Sequence, residues 1–222
     1  MILILRGHIR DSFNNEQLRN VMNAIYQLDP DIEIYIYTWN IVANNISWRT
    51  REENHRAVTE EVIRTYFGEP LHTRIRHIII DDDRHISLIG NVHGTIRGGP
   101  MPIVGWKNYW YGKYQIAKYL YHHHPHPSTT VINTRFDILQ HLSHEQILEF
   151  ISQHKEDRFM KNTFIYDAEV NSVDNLYMGN VKTMYLLALY FHYELDEILR
   201  IHCDTIHQER YVYRINHQLF SS

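Results

Sequence analysis

An arginine, an aromatic ring and a carboxylate stand in a row at Arg135-Phe136-Asp137, one residue after the β-branched run Thr129-Thr130-Val131-Ile132-Asn133. An apolar β-branched run behind a Pro-broken loop reads as a buried strand, so the charged triplet falls where that strand ends. In open α/β sheets ligands bind at the carboxyl ends of strands. Arg135 and Asp137 therefore form either a local ion pair at a strand exit or the floor of an active site.

Other charged groups follow apolar runs in the same way. Arg6-Gly7-His8-Ile9-Arg10 comes after Ile2–Leu5, with Gly7 allowing a tight turn or close backbone approach and Arg6 and Arg10 able to meet anionic oxygens. Asp81-Asp82-Asp83 comes after Arg76–Ile80; three adjacent carboxylates call for a cation or hydrogen-bond donors nearby, or for solvent. Asp167-Ala168-Glu169 and Ser172-Val173-Asp174 follow a further run ending at Tyr166. Lys113 lies within an aromatic helical stretch, Trp106–His122, with Tyr109 one turn away, so it can point from a packed helix into a cleft. His207, Glu209 and His217 are the possible ligands of the tail. The run His122-His123-His124-Pro125-His126-Pro127 reads as an exposed loop rather than a metal tract.

The elements that must position these groups alternate. Ile2–Leu5 is a strand; Leu18, Val21, Met22, Ile25 and Leu28 mark one helix face; Ile32, Ile34 and Ile36 alternate with polar neighbours in a second strand ending at Trp39, which is expected in the core. Thr50 and Glu53 have capping-box spacing for a helix with Val58, Val62, Ile63 and Tyr66 inside, ended by Gly68 and Pro70. Residues 86–105, rich in Gly and Pro, form a long loop of the kind kept for substrate closure. Ser143 and Gln146 cap another helix, Phe159–Tyr166 is a strand, and Met184, Leu187, Phe191, Leu195 and Ile198 mark a last helix. Such alternation predicts an α/β fold: a mostly parallel twisted sheet of about six strands with helices on both faces, which brings the strand exits to one edge. No Walker loop and no Gly-x-Gly-x-x-Gly follows the first strand, which argues against common ATPases and dinucleotide enzymes.

The 222 residues suit one domain, a net charge of −4 does not favour nucleic acid, and no run of apolar residues is long enough for a membrane span. Cys203 is the only cysteine, and it reads as a buried thiol in a reducing, cytoplasmic compartment. The seventeen histidines allow the net charge to turn positive in mild acid. Cations and carboxylates converging at one sheet edge suit a phosphate-bearing ligand bridged by a divalent metal.

Several stretches resemble GT-A-fold glycosyltransferases, in particular those of large algal viruses that decorate their own capsid protein and small bacterial surface-glycan transferases. They are Leu5–Arg10, Tyr37-Thr38-Trp39-Asn40, Asn133–Asp137 and Asp174–Asn180. The resemblance implies transfer of a sugar from a UDP-sugar to a hydroxyl on a glycan or glycoprotein, with Mn2+ or Mg2+ held by an Asp-x-Asp motif. It implies a nucleotide-sugar half near residues 1–137 and an acceptor half near 138–222. Arg6, Gly7, His8, Arg10, Asp81, Lys113 and Arg135 would meet the donor, and Asp174 would be the base of an inverting reaction. The metal would sit on Asp137, with Asp83 or a late histidine (His202 or His207) supplying the charge that Arg135 replaces; alternatively Asp81-Asp82-Asp83 is itself the metal motif.

Overall fold

The computed structural model describes residues 1–44, 52–96, 99, 101–156, 164–166, 175–202 and 208–220. Strand β1 (Ile2–Arg6) is buried along its whole length and lies at the centre of a sheet. The order across it is β5 (Ile75–Asp81), β2 (Glu33–Trp39), β1, β6 (Thr130–Arg135), β8 (Leu176–Asn180) and β7 (Phe164–Ile165), six strands among the described residues. β5, β2, β1 and β6 run parallel; β8 runs antiparallel to β6, and β7 antiparallel to β8. The expected mixed but mostly parallel sheet is what forms.

Side-chain alternation divides the core into two. Leu3, Leu5, Ile34, Ile36 and Ile132 pack on the face covered by α1 (Gln17–Leu28), α2 (Glu60–Phe67) and α5 (His144–His154). Ile2, Ile4, Tyr35, Tyr37 and Val131 pack on the opposite face under α4 (Ile103–His123), α6 (Val181–Ile201) and α7 (Gln208–Phe220). Period-2 strands between two helical layers explain the continuous apolar runs of β1 and β6. α5 starts with the predicted capping box, Ser143 Oγ accepting from Gln146 N while Gln146 reaches back.

Several elements differ from the reading of the sequence. Asn54–Ala57 is not helix but a short strand, β4, paired antiparallel with β3 (Ile41–Ala43). α2 is capped by Thr59, nine positions after Thr50; the Thr59 Oγ1 accepts from Val62 N at 3.2 Å. Thr59 is followed by two acids in the first turn, Glu60 and Glu61, which suit a helix N-terminus. Thr50 itself lies outside the described residues, and Val62 faces solvent. The tail is a helix, α7, with Tyr211, Val212 and Ile215 buried at helical spacing. A four-residue helix, α3 (Leu71–Arg74), leads into β5.

Among the described residues no helix is long and apolar enough to cross a membrane.

Candidate functional site

β1 ends on Arg6 and β6 on Arg135, and the two are register partners at the carboxyl edge of the sheet. Arg6 continues the face of Ile2 and Ile4, so it points under α4 and is 2% exposed. A guanidinium that deep needs donors' partners and a polarisable surround. Arg6 Nε donates to Asn133 Oδ1 at 2.7 Å, its Nη2 donates to Tyr109 Oη at 3.0 Å, and its plane stands 4.5 Å from the Tyr109 ring centre. Lys113, on the same helix as Tyr109, is equally buried, with Nζ 3.6 Å from the centre of the Tyr177 ring and 4.1 Å from that of Trp110. The Tyr109 and Tyr177 hydroxyls meet at 3.3 Å. The lysine is thus enclosed by the Tyr109, Trp110 and Tyr177 rings, where the sequence suggests an open cleft.

The turn after β1 is shaped by two residues with positive φ. Gly7 donates its N–H to Tyr37 O and accepts from Thr38 Oγ1, and its φ of 94°, rather than any crowding, is what calls for glycine. Arg10 takes φ 52°, a left-handed conformation uncommon for a residue with a Cβ. That conformation goes with an ion pair: Arg10 Nη1 lies 2.5 Å from Asp137 Oδ2. Arg135 forks onto the same carboxylate, Nε to Oδ1 at 2.7 Å and Nη2 to Oδ2 at 2.6 Å, and its Nη1 donates to Asn175 Oδ1 at 3.1 Å. Asp137 is 3% exposed. Burial pushes its pKa up, but the Arg135 and Arg10 guanidiniums outweigh that and hold it at about 2.

His8 sits between these groups, its ring stacked on Trp39 with centroids 5.7 Å apart. Its Nε2 is buried with no hydrogen-bond partner among the described residues. Burial, then Arg10 and Arg135, lower its pKa to about 3, so the imidazole is neutral at physiological pH. Trp39 is in the core, as expected, with one face given to His8.

The acidic triplet forms a separate group beyond β5. Asp81 accepts from Tyr37 Oη at 3.1 Å, Asp82 is forked by Arg84 at 2.9 and 2.7 Å, and Asp83 accepts from Asn44. β2 and β1 stand between β5 and β6, about 14 Å of sheet at the usual strand spacing.

These positions bear on Asp137 and Asp83 of the expected metal set. Asp137 and Asp83 follow strands that β2 and β1 separate, and the local ion pair is what Arg135 and Asp137 make. Both Asp137 oxygens are engaged by guanidiniums, a donor set that repels a cation rather than holding it. Among the described residues no three His, Cys, Asp or Glu side chains group as metal ligands. Asp174, His207 and Cys203 lie outside the described residues, and so do Asp167 and Glu169. His202 ends α6, its carbonyl accepting from Tyr211 Oη at 2.8 Å. The loop before α4 is tied to α6: Lys107 pairs with Asp196 of α6 at 2.8 Å and also donates to Ile89 O, while Asn91 N donates to Asp196.

Three participants went unread in the sequence: Asn133, Asn175 and Tyr177. Tyr177 and Asn133 are register partners across β8 and β6, and the pairing depends on a strand not anticipated at Leu176–Asn180. A Leu-x-Met alternation there was the available signal. On the other side of Arg10 a cavity of about 490 Å3 opens between the turn, the β3–β4 hairpin and α2, lined by Ile9, Phe13, Val42, Arg56 and Tyr66.

No protein-family model matches the chain, and no curated protein matches it. Among solved structures an active-site mutant of LgtC is similar over 99% of this chain and 70% of its own, at 11% identity and a TM-score of 0.42.

Proposed function

We propose that the chain is a glycosyltransferase that binds a nucleoside-diphospho-sugar, of UDP type, over the carboxyl ends of β1 and β6 and moves its sugar to a hydroxyl of a glycan or glycoprotein. The observation that carries the reading is the convergence of Arg6, Arg10, Lys113 and Arg135 on one sheet edge, where parallel strands present ligands. A diphosphate leaving group develops charge as the glycosidic bond breaks, and fixed cations in a poorly hydrated site stabilise that charge best. The cavity beside Arg10 has room for the nucleoside, with Arg10 between it and Asp137. Asp174, the residue before Asn175, is the proposed base of an inverting reaction, taking the proton from the acceptor hydroxyl. His8, neutral and next to the cations, is proposed to accept from or donate to the donor's polar groups without adding charge. Nothing favours the clustered acids as a two-metal hydrolytic centre, since Asp81, Asp82 and Asp83 each answer a different partner.

The test is slow hydrolysis of UDP-, GDP- and ADP-sugars, followed by release of the nucleoside diphosphate. UDP release that disappears in Arg135→Ala supports the reading. Binding of UDP-sugar without turnover, even with glycan acceptors supplied, would make the chain a binding domain; no interaction with any of the three sugars would end the proposal.

A further inference from the structure

The Asp137 carboxylate, named from the sequence as a metal ligand, is already neutralised. Oδ1 accepts from Arg135 Nε; Oδ2 accepts from both Arg135 Nη2 and Arg10 Nη1. A carboxylate offers about four lone-pair positions, so three are used by charge-assisted bonds of 2.5–2.7 Å. A divalent ion bound to either oxygen at the usual 2.0–2.6 Å would stand within about 5 Å of two guanidiniums. It would meet like charge on both sides in a site with little water. The acids that might assist it are tied to β5 on the far side of β2 and β1.

The same geometry suits a different solution. Asp137 fixes two guanidinium groups from different elements: Arg135 from the end of β6 and Arg10 from the turn after β1. Arg135 is further held by Asn175, and Arg10 is kept in its left-handed conformation. Side chains this restrained lose little freedom when an anion arrives, which is the condition for strong multidentate recognition of phosphate. Arg6 and Lys113 stand behind them under α4.

We propose that the two arginines held by Asp137 receive the donor's pyrophosphate group directly, in the role a divalent cation would fill, so that binding needs no metal. Asp137 is then a positioning residue: it touches the arginines and not the phosphates. The inference rests on the donor reading above and adds to it how the diphosphate is neutralised.

Isothermal titration with inorganic pyrophosphate and with UDP, each in EDTA and each in excess MnCl2, tests it on the intact chain. The expected result is binding of both in EDTA, with Kd changing less than about threefold when Mn2+ replaces EDTA. Arg135→Ala should weaken pyrophosphate at least about tenfold in EDTA. Asp137→Asn keeps the shape and removes the charge; it should retain binding within about tenfold and remain indifferent to Mn2+. Circular dichroism of both variants shows whether they fold. UDP binding only with Mn2+, lost in Asp137→Asn, overturns the inference and leaves the transferase reading standing. Pyrophosphate binding in EDTA without any gain for UDP keeps the metal-free site and sinks the nucleotide-sugar reading. No binding of either ligand in either buffer refutes both.

Discussion

Arg10 and Asp137, 127 positions apart in sequence, close a 2.5 Å ion pair that joins the turn after β1 to the end of β6. Arg10 reaches it from a left-handed backbone, so one residue carries both a strain and the contact that goes with it. Two substitutions separate the terms. Arg10→Ala loses the pair and keeps the strain, whereas Arg10→Gly loses the pair and relieves the strain. Urea denaturation should find the glycine variant more stable than the alanine variant by about 1 kcal/mol. The reverse order would mean that φ 52° is not the solution conformation.

Asp137 itself has two cationic partners and almost no solvent. Removing the acid from such a cluster leaves both guanidiniums without it. Asp137→Ala should therefore destabilise by about 3 kcal/mol, the low end for a buried pair because Arg10 and Arg135 keep some contact with water. Asp137→Asn, which still accepts hydrogen bonds, should lose less. The urea midpoint at constant m-value measures both.

Gly112 lies in the middle of α4, where glycine is worth about 1 kcal/mol less than alanine on propensity alone. A Cβ there would overlap the Tyr37 ring of β2. The packing term should win: Gly112→Ala is expected to destabilise by about 1–3 kcal/mol despite the better helix former. In a Tyr37→Leu background the ring is gone and the same substitution should become neutral or favourable. A double-mutant cycle checks the coupling.

Much of this architecture was open to reading from residue types. The β1, β2, β5 and β6 runs, the α1 and α6 apolar faces and the Ser143 box all follow from periodicity and capping, which are local. The helix expected from Thr50 was misplaced because two threonines precede acidic residues, and only the pairing of Asn54–Ala57 with Ile41–Ala43 removes the first from consideration. β8 was missed for a related reason: Leu176–Asn180 is short and its partner, β6, is some forty positions away. At the site, the charged strand exits were legible, but the partner of each charge was not. That Arg135 turns back onto Asp137, and that Arg10 joins it, depends on which strands the sheet sets side by side. Sequence order puts Asp83 and Asp137 in one list of acids; the β5-β2-β1-β6 order keeps them apart.

Tyr177 supports two buried cations at once, with Lys113 Nζ 3.6 Å and the Arg6 guanidinium 5.7 Å from its ring centre. Its hydroxyl contact with Tyr109 is longer and weaker, at 3.3 Å. Tyr177→Phe should thus cost less than about 1 kcal/mol, and Tyr177→Leu about 2 kcal/mol or more, since the leucine loses the ring face as well as area. Equal losses in the two variants would assign the stabilisation to the hydroxyl instead.

Protonation gives the last prediction. His8 and His192 have folded-state pKa values lowered to about 3 and about 4, His8 by burial and then Arg10 and Arg135, with Asp137 opposing, and His192 by burial and then Lys107 and Lys118. In the unfolded chain both take up a proton near pH 6.5, so between that value and their folded pKa the unfolded state binds more protons. Their contribution to stability is complete above pH 6.5 and is lost as pH falls toward 4 and then 3. The Asp137 contribution has the same sign in a lower window, present above about pH 3.8 and lost on the way to about 2. The urea midpoint should accordingly fall between pH 7 and pH 5, before any carboxylate titrates appreciably. His192→Phe, which keeps a ring against Tyr114 and removes the titration, should flatten that fall in part. In NMR titrations the His8 and His192 ring protons should show no step near pH 6.5; a normal step at His8 would mean that the imidazole is solvated and the cationic corner more open than its contacts with Trp39 and Arg10 imply.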